Sequence, residues 1–148
     1  VDEPQALTRE QMEAWVADFD SWDVCDQVCM NLFGPHPLGM EMALAWPHRS
    51  EEFVRRAGFV LMAVQVVHRK DLPDAAFEPY FPLMLQYATD ERNFVRKAVN
   101  WALRQIGKRN PALRERAIAT ARQMLEIDSG SARWIAHDAL RELEKPAR

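Results

Sequence analysis

The sequence is poor in glycine, with five residues in 148, and it has only two cysteines. So little glycine argues against a turn-rich β-sandwich and against a flexible low-complexity chain. With almost half the residues apolar, the composition is that of a helical protein. The length suits one domain with a hydrophobic core. Long apolar runs are also missing: none approaches the ~20 residues that span a bilayer, and there is no secretory signal. Cys25 and Cys29 stand four apart on one helix face, which is poor disulfide geometry. No histidine lies beside them to complete a zinc site. They read as small packing residues in a reducing, cytoplasmic setting.

Positive charge is scarce at the start. Residues 1–50 hold two basic side chains, Arg9 and Arg49, against nine acidic ones, which leaves 17 basic and 13 acidic for residues 51–148. That asymmetry suits a polyanion partner for the basic part, and it equally suits solvated helix faces. There is no glycine-rich phosphate loop, which argues against nucleotide hydrolysis. No Ser-His-Asp or Cys-His set stands in an interpretable context. His36, His48, His68 and His137 are scattered without ligand spacing and read as turn, helix-end or surface residues.

Almost every segment has a 3.6-residue apolar period, and none alternates over a sustained stretch. Thr8 with Gln11 predicts a capped helix through about Asp18. Ser21 opens a second to about Leu32, ended by Gly34-Pro35-His36-Pro37. A short helix from about Leu38 to Trp46 is closed by Pro47, and Ser50 caps a longer one to about His68. Beyond a linker at 70–74, helices are expected over about 74–88, 90–108, 111–127 and 129–144. Pro79 and Pro82 shorten or kink the first of these, Asn110-Pro111 opens the third and Asp128-Ser129 the fourth.

Three segments overlay: EEFVRRAGFVLM (51–62), RNFVRKAVNWAL (92–103) and ARWIAHDALREL (132–143). Phe53, Phe94 and Trp134 align at spacings of 41 and 40, followed by Val54, Val95 and Ile135. A period near 40 with two helices per unit is the signature of HEAT-like repeats. Such pairs stack into a superhelix whose second helices line the concave side. The predicted fold class is therefore all-α: a HEAT-like helical repeat solenoid of paired antiparallel helices, with residues 1–148 as a single domain. The alternative is an ordinary helical bundle with accidental similarity.

The register places Arg56, Lys97 and His137 at equivalent positions, and Asp26 joins them across an irregular spacing of 30. Trp22 stands one turn before Asp26, and Trp101 one turn after Lys97. A column of Asp, Arg, Lys and His framed by two indoles reads as a binding surface. The competing reading puts each Trp in its own inter-helix core and the charges in water. Asp23 is the rival carboxylate, read as a helix-start residue. Arg55, Arg56, Arg92, Arg96, Lys97, Arg104, Lys108 and Arg109 crowd two neighbouring second helices. Arg96, Lys97, Arg104, Lys108 and Arg109 cannot all be core and are expected to face solvent or a phosphate backbone, with salt-sensitive binding. Arg56 is able either to fork a phosphate or to hold the Asp26 carboxylate.

A lone carboxylate between aromatic faces suits one reaction. A purine alkylated at N3 or N7 is cationic, and its glycosidic bond is weakened, so it leaves without a general acid. Indole faces attract the cation. A carboxylate near the anomeric carbon stabilises positive charge there and orients a water.

WDVCD (22–26), FVRRAGFVLM (53–62) and FVRKAVNWALRQIGKRNP (94–111) resemble the AlkD-type DNA alkylation repair family. The resemblance covers most of residues 15–111, and its last segment is the most specific. It implies HEAT-like repeats and excision of positively charged N3- and N7-alkylpurines from DNA. It puts the catalytic carboxylate on Asp26, its aromatic partners on Trp22 and Trp101, and on Arg56 the arginine near the lesion-bearing backbone. The expected partner is duplex DNA carrying alkylated bases, engaged by a monomer with no cofactor, metal or membrane. Family members carry further N-terminal helices, so this chain is expected to be the C-terminal part of a longer family fold. Relatives of this architecture need not be active glycosylases, so a non-catalytic module for damaged or branched DNA, or for a protein partner, stands as the alternative.

Overall fold

Helix starts follow their capping residues. The computed structural model describes residues 8–18 and 22–145, with the side chains of all of these but 22–24 and 32. Helix α1 (Arg9–Ala17) opens on a capping box: the Thr8 hydroxyl accepts from the Gln11 N–H at 3.1 Å, and the Gln11 side chain accepts from the Thr8 N–H at 2.9 Å. This satisfies two otherwise orphaned donors. Helix α2 (Trp22–Val28) runs into a π-helical turn, Cys29–Phe33, closed by the Gly34 N–H on the Cys29 carbonyl at 2.7 Å. Ser21, expected to cap α2, lies outside the described residues.

Helix α3 (Gly39–Ala45) is followed by a 3₁₀ turn, Trp46–His48, that takes in Pro47. Helix α4 (Glu52–His68) is preceded by Glu51 rather than by the expected cap Ser50. Ser50 instead offers its carbonyl to Arg92 at 2.8 Å. The segment before the next helix breaks at Pro79 into a 3₁₀ turn, Asp74–Phe77, and α5 (Tyr80–Tyr87). Helix α6 (Asn93–Arg109) begins later than the sequence suggests, because the Asp90 carboxylate takes up the Arg92 N–H at 3.0 Å ahead of it. Asn110 caps α7 (Pro111–Leu125) and Ser129 caps α8 (Gly130–Leu143), each by a side-chain oxygen on the N–H three residues on.

The repeat is physical. Helices α4 and α6 are both 17 residues long and occupy the same register. Val54, Val95 and Ile135 are all buried. The rings of Phe53 and Phe94 meet at 5.7 Å, and the Arg96 guanidinium lies 4.7 Å over Trp134. Equivalent phenylalanines of neighbouring units therefore touch, and Arg96, two residues past Phe94, reaches the equivalent Trp134 of the next unit. The second helices lie side by side in the order α2, α4, α6, α8, while α3, α5 and α7 cover their other side. The fold is an all-α, HEAT-like repeat solenoid, and no strand occurs among the described residues.

Helix α4 is its axis. Residues 56–66 are buried without a break, as expected of a helix with neighbours all round rather than one apolar stripe. Gly58 permits the closest of these contacts. A Cβ there would come within 2.6 Å of the Pro47 nitrogen and closer still to its ring. The 3₁₀ turn consequently lies directly on the α4 backbone.

Candidate nucleic-acid interface

The site begins with two thiols. Cys25 and Cys29 are fully buried on the inner face of α2 and its π-helical extension. Their sulfurs reach the α4 carbonyls of Phe53 (3.5 Å) and Ala57 (3.8 Å). Burial pushes the Cys29 thiol up, with the neighbouring Cys25 adding to the effect, so it serves as a protonated donor and not as a nucleophile. Such small side chains let α2 approach the α4 backbone closely. Asp26, next to Cys25, is thereby set opposite Arg56.

The two side chains form a fork. Arg56 Nε donates to Asp26 Oδ1 at 2.9 Å, and Nη2 to Oδ2 at 2.7 Å. Its Nη1 donates to the Phe94 carbonyl in the first turn of α6 at 2.5 Å. One guanidinium thus ties α2, α4 and α6. The Arg56 side chain is 9% exposed and that of Asp26 16% exposed. Each Asp26 oxygen accepts one bond from Arg56, which leaves a further lone pair on each.

Around the fork, Phe94, Lys97 and Trp101 follow one another at helical spacing on one face of α6. Lys97 is exposed and has no hydrogen-bond or ion-pair partner among the described residues. Trp101 is half-buried against the core. His137, next in the column, is exposed on α8. The Trp22 side chain lies outside the described residues. Of the four residues singled out by the resemblance, Asp26 and Arg56 touch, and Trp101 lies two turns along α6 from the carbonyl on which Arg56 docks.

The remaining cations divide. Arg96 is half-exposed, bonded to Asn93 and stacked on Trp134. Arg104 donates to Asn100 and to Glu142, both at 2.8 Å, and Lys108 pairs with the same Glu142. Hydrogen bonds from Arg104 and Lys108 hold the Glu142 carboxyl below the ordinary range. Arg55 is turned inward. It bonds the Pro47 carbonyl (2.9 Å) and Asp90 (2.8 Å) and lies 4.2 Å over the Tyr87 ring. Arg109, expected to face solvent, is also turned inward. It donates to the carbonyls of Val66, Leu72 and Arg69 at 2.7, 2.8 and 3.1 Å. The reason is physical: Val66 lies in the last turn of α4 and Arg69 and Leu72 just beyond it, where carbonyls run out of helical N–H partners, and one guanidinium reaches all three.

Asp90 is a charged centre not singled out by sequence reasoning. Burial alone would raise its carboxyl, but hydrogen bonds from the side chains of Arg92 and Arg55 and from the Arg92 N–H bring it down to about 2. Its backbone carbonyl accepts from the Ser131 hydroxyl at 2.8 Å. The signal was present in the spacing. Arg55 and Asp90 are 35 apart, and Arg104 and Glu142 38 apart, both near one repeat.

Among the described residues, no group of three or more His, Cys, Asp or Glu is placed to hold a metal. No described helix is long and apolar enough to cross a membrane.

The family model described as "DNA alkylation repair enzyme" matches residues 2–143. No curated protein is a match. A solved structure described as "A new family of proteins related to the HEAT-like repeat DNA glycosylases with affinity for branched DNA structures" is similar, with a TM-score of 0.73 at 15% identity. At that identity the likeness is one of fold. The match covers 95% of this chain and 65% of that one, so the chain spans less than two thirds of that structure's length.

Proposed function

Because the chain belongs to the DNA alkylation repair enzyme family, we propose that it excises N3- and N7-alkylated purines from duplex DNA, with Asp26 as the catalytic carboxylate. The observation that carries this reading is the fork: a carboxylate clamped in one orientation and tied to the Phe94 carbonyl, with an exposed lysine one turn and a half-buried indole two turns along α6 from that carbonyl. In the reaction the bond from the anomeric carbon to the purine nitrogen breaks. The electron pair leaves with the base, which becomes neutral. The lone pairs of Asp26 not used by Arg56 face the developing sugar cation and accept from a water. That water adds its oxygen to the anomeric carbon and gives up one proton, through Asp26, to bulk solvent. Charge stabilisation of this kind, aimed where charge develops, is worth about 100-fold or more in rate.

Arg56 acts in this scheme as a positioning residue, three of its five donors being engaged by Asp26 and Phe94. Trp101, with Trp22, offers an indole face to the cationic base. Lys97 is the cation best placed for a phosphate, with Arg96 beside it. Arg104 and Lys108 engage DNA by exchanging Glu142 for phosphate, while Arg55 and Arg109 support the surface from beneath.

The fork also favours a second reading. A carboxylate already neutralised by a guanidinium is a stable structural tie between repeats, and such a tie serves a non-catalytic module for damaged or branched DNA equally well. The experiment is release of 7-methylguanine from methylated duplex DNA by the wild type and by Asp26→Asn. Release by the wild type, with the variant at least about 100-fold slower, supports excision. Salt-sensitive binding without release by either protein supports the binding module. Equal release by both removes Asp26 from the chemistry.

A further inference from the structure

A cleft of about 550 Å³ opens between the C-terminal ends of α4 and α6. On α6 it continues the stripe of the candidate site. Lys97, Trp101, Gln105 and Lys108 follow at intervals of four, four and three, which keeps them on one helix face. Val66 and Val67 give the cleft lining an apolar part, with Val67 41% exposed. Lys70 stands on its rim, exposed and without a hydrogen-bond or ion-pair partner among the described residues. Gln105 lines the wall, its side-chain amide likewise without a described partner. Lys108 lines this cleft and a second one of about 580 Å³ beyond it.

The carbonyl end of a helix ordinarily repels an anion. Here the inward-turned Arg109 cancels that field by donating to the Val66, Arg69 and Leu72 carbonyls. Asp74, the one carboxylate on the lining, is engaged by the Asn110 amide at 2.8 Å and lies 4.0 Å from Arg109. The lining therefore sets two lysines and an amide, with Arg109 behind them, against one half-exposed carboxylate and the side chains of Val66 and Val67.

We propose that this cleft is a phosphodiester subsite, where Lys70, Lys108 and Gln105 hold the DNA backbone about 16 Å along α6 from Lys97. The subsite rests on the reading that the chain binds DNA, and it extends the contact surface beyond the chemistry. Lys108 is held ready by Glu142 and exchanges it for phosphate. The ligand class is an extended phosphodiester chain, since Lys97 and the Lys70–Lys108 cleft stand about 16 Å apart along one face of α6, farther than one small anion reaches.

The test is fluorescence anisotropy with an unmodified duplex of about 20 base pairs, titrated with salt, for the wild type, Lys70→Gln, Lys108→Gln and Arg122→Gln. Arg122 is 63% exposed on α7 and removes the same charge from elsewhere. Each lysine variant is expected to bind about threefold more weakly near physiological salt, with a log–log salt slope lower by about 0.9. Arg122→Gln is expected to change neither, and Glu142→Gln, which frees Lys108, to bind tighter. A wild type that binds while the lysine variants match it, or match Arg122→Gln, overturns the subsite and leaves the DNA reading standing. A wild type that fails to bind overturns both.

Discussion

Arg56 is committed by all three of its nitrogens, two to Asp26 and one to the Phe94 carbonyl. Removing one partner of a buried pair costs far more than the pair contributes, because the other is left uncompensated. Arg56→Ala is accordingly expected to lose about 3 kcal/mol of stability, read by urea unfolding. A loss within 0.5 kcal/mol, the range of ordinary surface substitutions, would show that the fork is not a structural tie. At Asp90 the carboxyl lies at about 2, below its ordinary value near 4. A depressed carboxyl stabilises the fold above the ordinary value, and that contribution is lost as pH falls from about 4 towards 2. Its size is about 1–2 kcal/mol. The melting temperature of the wild type should fall over this window, while Asp90→Asn starts lower at pH 5 and falls less steeply. Parallel curves for the two proteins would remove Asp90 as the source.

At the scale of elements, the arrangement depends on close approaches. Helix α2 nears α4 through two cysteines, and the Pro47 turn nears α4 through Gly58. Gly58→Ala is expected to destabilise, although alanine is the better helix former. Its Cβ would sit within 2.6 Å of the Pro47 nitrogen, and relief requires the turn and α4 to part. Overpacking of this kind costs about 1–3 kcal/mol, measurable by thermal melting. An unchanged or higher melting temperature would mean the turn is free to move. Much at this scale was legible in the sequence. Thr8, Asn110 and Ser129 cap as their chemistry requires, since capping is local. Ser50 does not, because Arg92, one repeat away, takes its carbonyl. The start of α6 shifts for a local reason, since the Asp90 carboxylate takes the Arg92 N–H two residues on. At Ser50 a local preference gives way because a partner from the next repeat competes for the same groups.

For the whole molecule, the overlay of Phe53, Phe94 and Trp134 carried the architecture, because apolar periodicity repeats wherever the same helix pair stacks. It also brought Asp26 and Arg56 into one column before any contact was visible, and the contact is there. The roles of Arg55 and Arg109 were not legible. Arg109 answers to backbone carbonyls and Arg55 to one carbonyl and Asp90, and nothing in side-chain identity announces which carbonyls a solenoid will leave open. Charge counting therefore overstates the cations available to a polyanion: among the described residues, Lys70, Lys97 and Lys145 are the exposed lysines whose ammonium groups have no partner.

The account turns on whether the clamped carboxylate works on a glycosidic bond. The direct measurement is the single-turnover rate of 7-methylguanine release at saturating methylated duplex DNA, for wild type, Arg56→Lys and Asp26→Asn side by side. A lysine keeps the charge but cannot fork both oxygens and reach the Phe94 carbonyl. The expected order is wild type fastest, Arg56→Lys intermediate, and Asp26→Asn slowest by about 100-fold or more. Equal rates for all three, or no release by any, would contradict it.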